Sequence, residues 1–176
     1  MDLIVSALLL SVSSLFVLSG LAKLLSYRAS VEHIANNEWI PKVFKKPIGY
    51  SLPIIEIICG ISLIIRGDNF LVNLLMISII LVFLAVNLQA VLKHKVKDCH
   101  CFGKLIKTKT GSGGVIQTIL MLLAVLPNLL VLVQPLSVIQ QLDTSLLLVL
   151  AFGVIFMIYT LIIVRSLYEL FNEVHI

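Results

Sequence analysis

The chain has 176 residues, of which 60% are hydrophobic and only 12% charged, with a formal net charge of +4 and a mean hydropathy of +1.12. Such a composition lies far outside that of a soluble domain and reads as an integral membrane protein. It excludes a water-soluble enzyme core, and the excess of Lys and Arg needs no nucleic-acid partner once the membrane explains it.

Five runs are apolar enough and long enough to cross about 30 Å of hydrocarbon, which takes roughly 20 helical residues each. They are Leu3 to Leu25, Ile48 to Ile65, Phe70 to Leu92, Val115 to Val133 and Thr144 to Val164. The first carries Asp2 instead of a basic leader and runs long for a secretory signal, so it is expected to stay attached. Backbone polar groups must be paired in lipid, and strand alternation is absent from these runs. The expected fold is therefore an all-α integral membrane bundle of about five transmembrane helices, four forming a core and one following at the C-terminus. The chain divides into a four-helix domain over 1–133, with a cysteine-bearing loop at 93–114, and a remainder over 134–176 holding a loop, the fifth helix and a short tail.

With five crossings, Ser26 to Pro47, Lys93 to Gly114 and the C-terminal tail share one side of the membrane. Lys23, Arg28, Lys42, Lys45, Lys46, Lys93, Lys95, Lys97, Lys104, Lys107, Lys109 and Arg165 fall at that side, and only Arg66 lies opposite. By the positive-inside rule this side is cytoplasmic and the N-terminus outside, in a multi-pass protein of the plasma membrane. The stretch from Ser26 to Pro47 carries Val31, Ile34, Trp39, Ile40, Val43 and Phe44, and is expected to lie along the headgroups with a break at Pro41. "RGDN" (Arg66 to Asn69) and "QPLSVIQQLD" (Gln134 to Asp143) are short connections on the other side.

The chemistry-bearing stretch is "KDCHCFGK", Lys97 to Lys104. Cys99 and Cys101 are separated by His100 alone, so an extended or turning backbone holds their Cα atoms near the upper end of the disulfide-compatible range. A bridge there would be strained and easily reduced, which suits exchange better than stapling. Lys97, Lys104, His94 and His100 flank the pair and favour the thiolate, the attacking species. Two other readings stay open: an inert pair in a membrane scaffold or assembly subunit, and a zinc or copper site drawn from His94, Cys99, His100 and Cys101.

Within the helices, Glu56 stands about 12 Å below the thiol-side interface, and an intramembrane carboxyl marks either a functional site or a buried pair. Lys23, on the antiparallel neighbour, is its expected partner. Asn87 and Gln89 are expected to come down the third helix toward the same face as this pair, a turn or so before the cysteine loop. Cys59 lies three residues after Glu56 and reads first as a small apolar filler.

Taken together, "SGLAKL" (Ser19 to Leu24), "PIIE" (Pro53 to Glu56) and "DCHCFG" (Asp98 to Gly103) resemble the MauE family of DoxX-like membrane proteins over roughly residues 3 to 133. Two positions depart from that pattern: His100 stands where Gly is common, and Gln117 where an Arg is often expected. The resemblance implies a thiol-redox membrane protein that supports maturation of disulfide-containing clients, with methylamine dehydrogenase assembly as the family's founding role and a thioredoxin-like partner. It makes Cys99 and Cys101 the redox pair, and Lys23 and Glu56 the recurring polar positions. It also favours chemistry outside the cytoplasm, against the charge asymmetry, so both orientations stay open. No cofactor is indicated by a motif; a quinone beside Glu56 is the candidate for resetting the pair.

Overall fold

The computed structural model describes residues 2–28, 31, 42–92, 98–102, 106–109 and 111–174, with both strands and residues 168–174 described by their backbone. The elements are α1 (Asp2–Leu25), α2 (Lys42–Ile65), α3 (Phe70–Leu92), β1 (Asp98–Phe102), β2 (Ile106–Lys109), α4 (Ser112–Val125), α5 (Asn128–Val131), α6 (Pro135–Gln141) and α7 (Thr144–Val174). Five helical stretches are long and apolar enough to cross a membrane, in agreement with the sequence reading.

The first helix is the axis of the bundle. α1 packs against α2, α4, α5, α6, α7 and β1, and 56% of its most apolar stretch is buried, against 11% for α7. The reason lies in composition: α1 alternates bulky Leu and Val with Ser6, Ser11, Ser13 and Gly20, so neighbours approach closely on several sides. Ser11 and Ser13 donate back to the carbonyls of Ala7 and Leu9, which satisfies their hydroxyls inside the helix. Its contact with α2 is the closest. A Cβ on Gly20 would sit 2.7 Å from the Pro53 carbonyl oxygen, and one on Gly60 would sit 2.8 Å from that of Ser13. Small residues at a membrane helix crossing give the backbone contact that replaces the hydrophobic drive available in water.

Around this axis Leu9, Val12, Leu15, Phe16, Leu63, Met76, Ile80 and Val125 form a continuous apolar core. Leucine and isoleucine exposed on α2, α3 and α7 form the outer surface that a membrane protein turns to lipid.

Four sequence expectations are refined. The second helix begins at Lys42 and runs through Pro47 and Pro53, so it extends below the expected Ile48; of the stretch expected along the headgroups, residues 29–30 and 32–41 lie outside the described residues. The fourth span is not one straight helix: it stops at Val125 before Pro127, and a short turn, α5, completes the crossing. Proline cannot donate its N–H or tolerate the preceding turn, which accounts for the break. "QPLSVIQQ" is helical, with Pro135 at its first position where the missing N–H costs nothing. The last helix continues to Val174, 31 residues in all, or about 46 Å; it therefore projects beyond the hydrocarbon at the thiol end.

The expected loop 93–114 contains an antiparallel hairpin. β1 pairs with β2 in the register Asp98 with Lys109, Cys99 with Thr108 and Phe102 with Ile106. Three residue steps on β1 thus face two on β2, which places a bulge at His100 and Cys101. β1 lies against α1, and β2 against α7.

Candidate functional site: the cysteine hairpin and its buried polar base

The C-terminal ends of α1, α3 and α7 meet the N-terminal ends of α2 and α4 at one end of the bundle, and the hairpin is tied to that end by both its strands. The backbone at Cys99 and Cys101 is extended, so two strand steps of about 3.3 Å separate the Cα atoms by at most about 6.7 Å. That is the upper edge of the disulfide range, and the bend that a bulge imposes can only shorten it. Bulges recur beside active sites because they re-aim one residue without dissolving the ladder.

Beneath the hairpin the expected ion pair is present. Lys23 Nζ donates to Glu56 Oε1, while Ser19 Oγ donates to Oε2 at 3.2 Å. Glu56 is fully buried. Lys23 also sits over the Phe83 ring, 5.3 Å from its centroid, and Phe83 in turn stacks on Phe16 at 6.0 Å. A buried carboxylate tolerates the interior only when its oxygens are hydrogen-bonded and its charge is matched; both conditions are met here by α1. Both Glu56 oxygens are engaged and the residue has no exposed surface, so the residues at this position do not fit a quinone.

Asn87 is buried and donates to the Phe83 carbonyl at 2.9 Å, with Oδ1 lying against Gly114 and accepting no hydrogen bond among the described residues. A side chain at residue 114 would overlap the Asn87 amide, so only glycine fits. Gln89 is half-buried and stands about 200° around α3 from Asn87; the two do not share a face. Cys59 is buried in the apolar core, three residues below Glu56, as a filler would be.

Two partners went unnoticed in the sequence. Arg165, 3% exposed, reaches from α7 to donate to Gln117 Oε1 on α4 at 2.8 Å. In the sequence Arg165 reads as a topology charge at the end of an apolar run; the continuation of α7 past it is what carries it into the bundle. Phe83 gave no signal among many apolar residues. Of the metal alternative, His94 lies outside the described residues and Cys99, His100 and Cys101 are described by their backbone alone; elsewhere among the described residues no three His, Cys, Asp or Glu side chains gather.

Five apolar spans with a bulged two-cysteine hairpin seated over a buried Lys–Glu pair define a multi-pass helical membrane protein with a candidate thiol site at one end. The family model for methylamine utilisation protein MauE matches residues 1–134. The chain belongs to that family, and the helix α7 that supplies Arg165 lies beyond the matched region. No curated protein and no solved structure matches it.

Proposed function

We propose that this MauE-family protein is a membrane thiol–disulfide redox protein whose Cys99 and Cys101 exchange electrons with a thioredoxin-like partner in the maturation of disulfide-containing clients. The observation that supports the reading is the placement of both cysteines two residues apart on one bulged strand, where strand geometry holds their Cα atoms near the upper edge of the disulfide range. Exchange runs through a mixed disulfide between one of these sulfurs and the partner.

The ion pair of Lys23 and Glu56 gives the hairpin a rigid floor, since β1 packs on the helix that carries Lys23. The charge asymmetry favours the cytoplasmic face for this end. Single Cys99→Ser and Cys101→Ser variants, expressed in cells and analysed without reductant, are expected to accumulate or lose a dithiothreitol-sensitive adduct with a thioredoxin-like protein. Client oxidation unchanged in both variants, with no adduct in either, would reject the proposal in favour of an assembly scaffold.

A further inference from the structure

The crossing of α1 and α2 is closed at the thiol end by two tyrosines. Tyr27 lies two residues past the end of α1 and Tyr50 two residues into the apolar run of α2. Their rings meet across the crossing with centroids 5.1 Å apart and an interplanar angle of 38°. Beside them Val31 lies against Gly49, so the chain leaving α1 stays on the first turns of α2. Both tyrosines remain exposed despite this contact. They stand where each apolar run ends, which is the level tyrosine takes at a bilayer interface, ring in the apolar layer and hydroxyl toward water.

The chemistry changes sharply on either side of the ring pair. Outward, Arg28 follows Tyr27, and Lys46 precedes Tyr50 by one helical turn on the same face of α2; both cations are exposed. Among the described residues the one acid of α1 and α2 near this end is Glu56, which is buried and engaged by Lys23 and Ser19, so it does not cancel the outer charge. Inward, Ile54, Ile58 and Ile61 continue the face of Tyr50 at helical spacing, with Leu21 and Leu24 on α1, and all five are exposed. From Tyr50 to Ile61 the helix rises about 16 Å, about half of a hydrocarbon layer of about 30 Å and thus the depth of one leaflet.

Positive charge outside, two hydroxyl-bearing rings at the boundary and an apolar track one leaflet long inside follow the order of groups along an anionic phospholipid. We propose that this face of α1 and α2 binds one anionic phospholipid of the thiol-side leaflet, with its phosphate at Arg28 and Lys46, its ester region at Tyr27 and Tyr50, and its acyl chains along the isoleucines of α2. The cations alone would attract any anionic group, and the apolar track alone any lipid. The ring pair, held by two helices at once, fixes the offset between them. The site makes no use of Cys99 or Cys101, so it stands or falls separately from the redox reading.

The test titrates the full chain, purified in detergent, with phosphatidylglycerol or with phosphatidylcholine of the same acyl chains, and counts bound lipid by native mass spectrometry. The first phosphatidylglycerol is expected to bind on the order of 25-fold tighter than the first phosphatidylcholine, at about fivefold for each cation. The Arg28→Gln, Lys46→Gln double variant, changed only at exposed positions, should lose that preference. The Tyr27→Phe, Tyr50→Phe double variant keeps the rings and removes the hydroxyls, and should weaken both lipids by about fivefold. Glycerol phosphate, which carries the charge without acyl chains, should not displace the lipid. Equal binding of the two lipids by the wild type, or a preference unchanged in the glutamine variant, overturns the proposal. Unaltered affinity in the phenylalanine variant reduces the ring pair to a helix staple and overturns the site as described, and displacement by glycerol phosphate makes it a site for free phosphates instead. Capture of a polypeptide in place of lipid by a photo-cross-linker at residue 47 in cells would assign the patch to a protein partner and overturn the proposal as well.

Discussion

The two ends of the bundle are both held by buried polar side chains, and they use them differently. At the end opposite the cysteines, Asn73 and Asn128 form a neutral clamp. Both donate to the Gly67 carbonyl at 2.6 Å, Asn128 also donates to Asn73 Oδ1 at 2.8 Å, and its own Oδ1 accepts from Val133 N–H at 2.8 Å. Every polar atom of the two amides has a partner, and the result ties the α2–α3 turn to the broken end of the fourth span. At the thiol end the polar groups carry charge: Lys23, Glu56 and Arg165 are all buried, and Asn87 Oδ1 accepts no hydrogen bond among the described residues. A clamp of neutral, fully satisfied amides locks a turn. At the end that carries the two-cysteine hairpin the buried groups are instead charged and held by partners, Lys23 by Glu56 and Arg165 by Gln117, and such an arrangement is lost when one partner is removed.

The comparison can be broken by substitutions at each end. The largest effect is expected from Glu56→Ala, which leaves the Lys23 ammonium buried and unmatched and costs about 3–5 kcal/mol; unfolding in detergent by a denaturant series measures it. The Lys23→Met, Glu56→Leu double variant removes both charges and is expected to recover most of that stability, with thiol exchange within about twofold of wild type, since a matched pair adds little net field. Exchange lost in a folded double variant would mean that the pair does more than support the hairpin.

Asn128→Ala should cost about 2 kcal/mol, because it strands the Val133 N–H and weakens the Gly67 carbonyl's bonding in an apolar interior. Exchange by Cys99 and Cys101 is expected to be unaffected in the folded fraction, and a change there would erase the distinction between the ends. Gly114→Ala should cost about 1–3 kcal/mol through overlap with Asn87, and the Asn87→Ala, Gly114→Ala double variant should recover part of it, measured in the same unfolding series. The smallest effect is expected at Gly153 on α7, where a Cβ meets nothing within 4 Å: Gly153→Ala should raise stability by up to about 1 kcal/mol through helix propensity alone.

How far the sequence reveals this molecule follows from the range of each interaction. The five spans are legible because hydrocarbon thickness imposes length and apolarity on each run independently of its neighbours. Lys23 and Glu56 are legible as partners because two buried opposite charges on adjacent antiparallel helices have few other ways to be satisfied. The hairpin is not legible: "IKTK" is too short an alternation to distinguish from a basic loop, and the pairing of Asp98 with Lys109 is a tertiary fact held by α1 and α7. The contact of Arg165 with Gln117 is equally hidden, since it depends on where α7 settles against α4. Asn73 and Asn128 stand 55 residues apart, each reading alone as an isolated polar residue in an apolar run. Gln89 misleads because proximity in sequence suggests a shared face, whereas two residues turn a helix by about 200°.

The central claim is that Cys99 and Cys101 interconvert between dithiol and disulfide at one end of the bundle. It is tested most directly in intact cells and in inverted vesicles by pulsing with oxidant or reductant, acid quenching, and labelling with a membrane-impermeant maleimide that adds mass per free thiol. The account predicts that two labels appear on reduction and vanish on oxidation, only where the reagent reaches the Lys-rich face, with Cys59 unlabelled throughout. Labelling of Cys99 and Cys101 that stays the same across the whole redox range would contradict it.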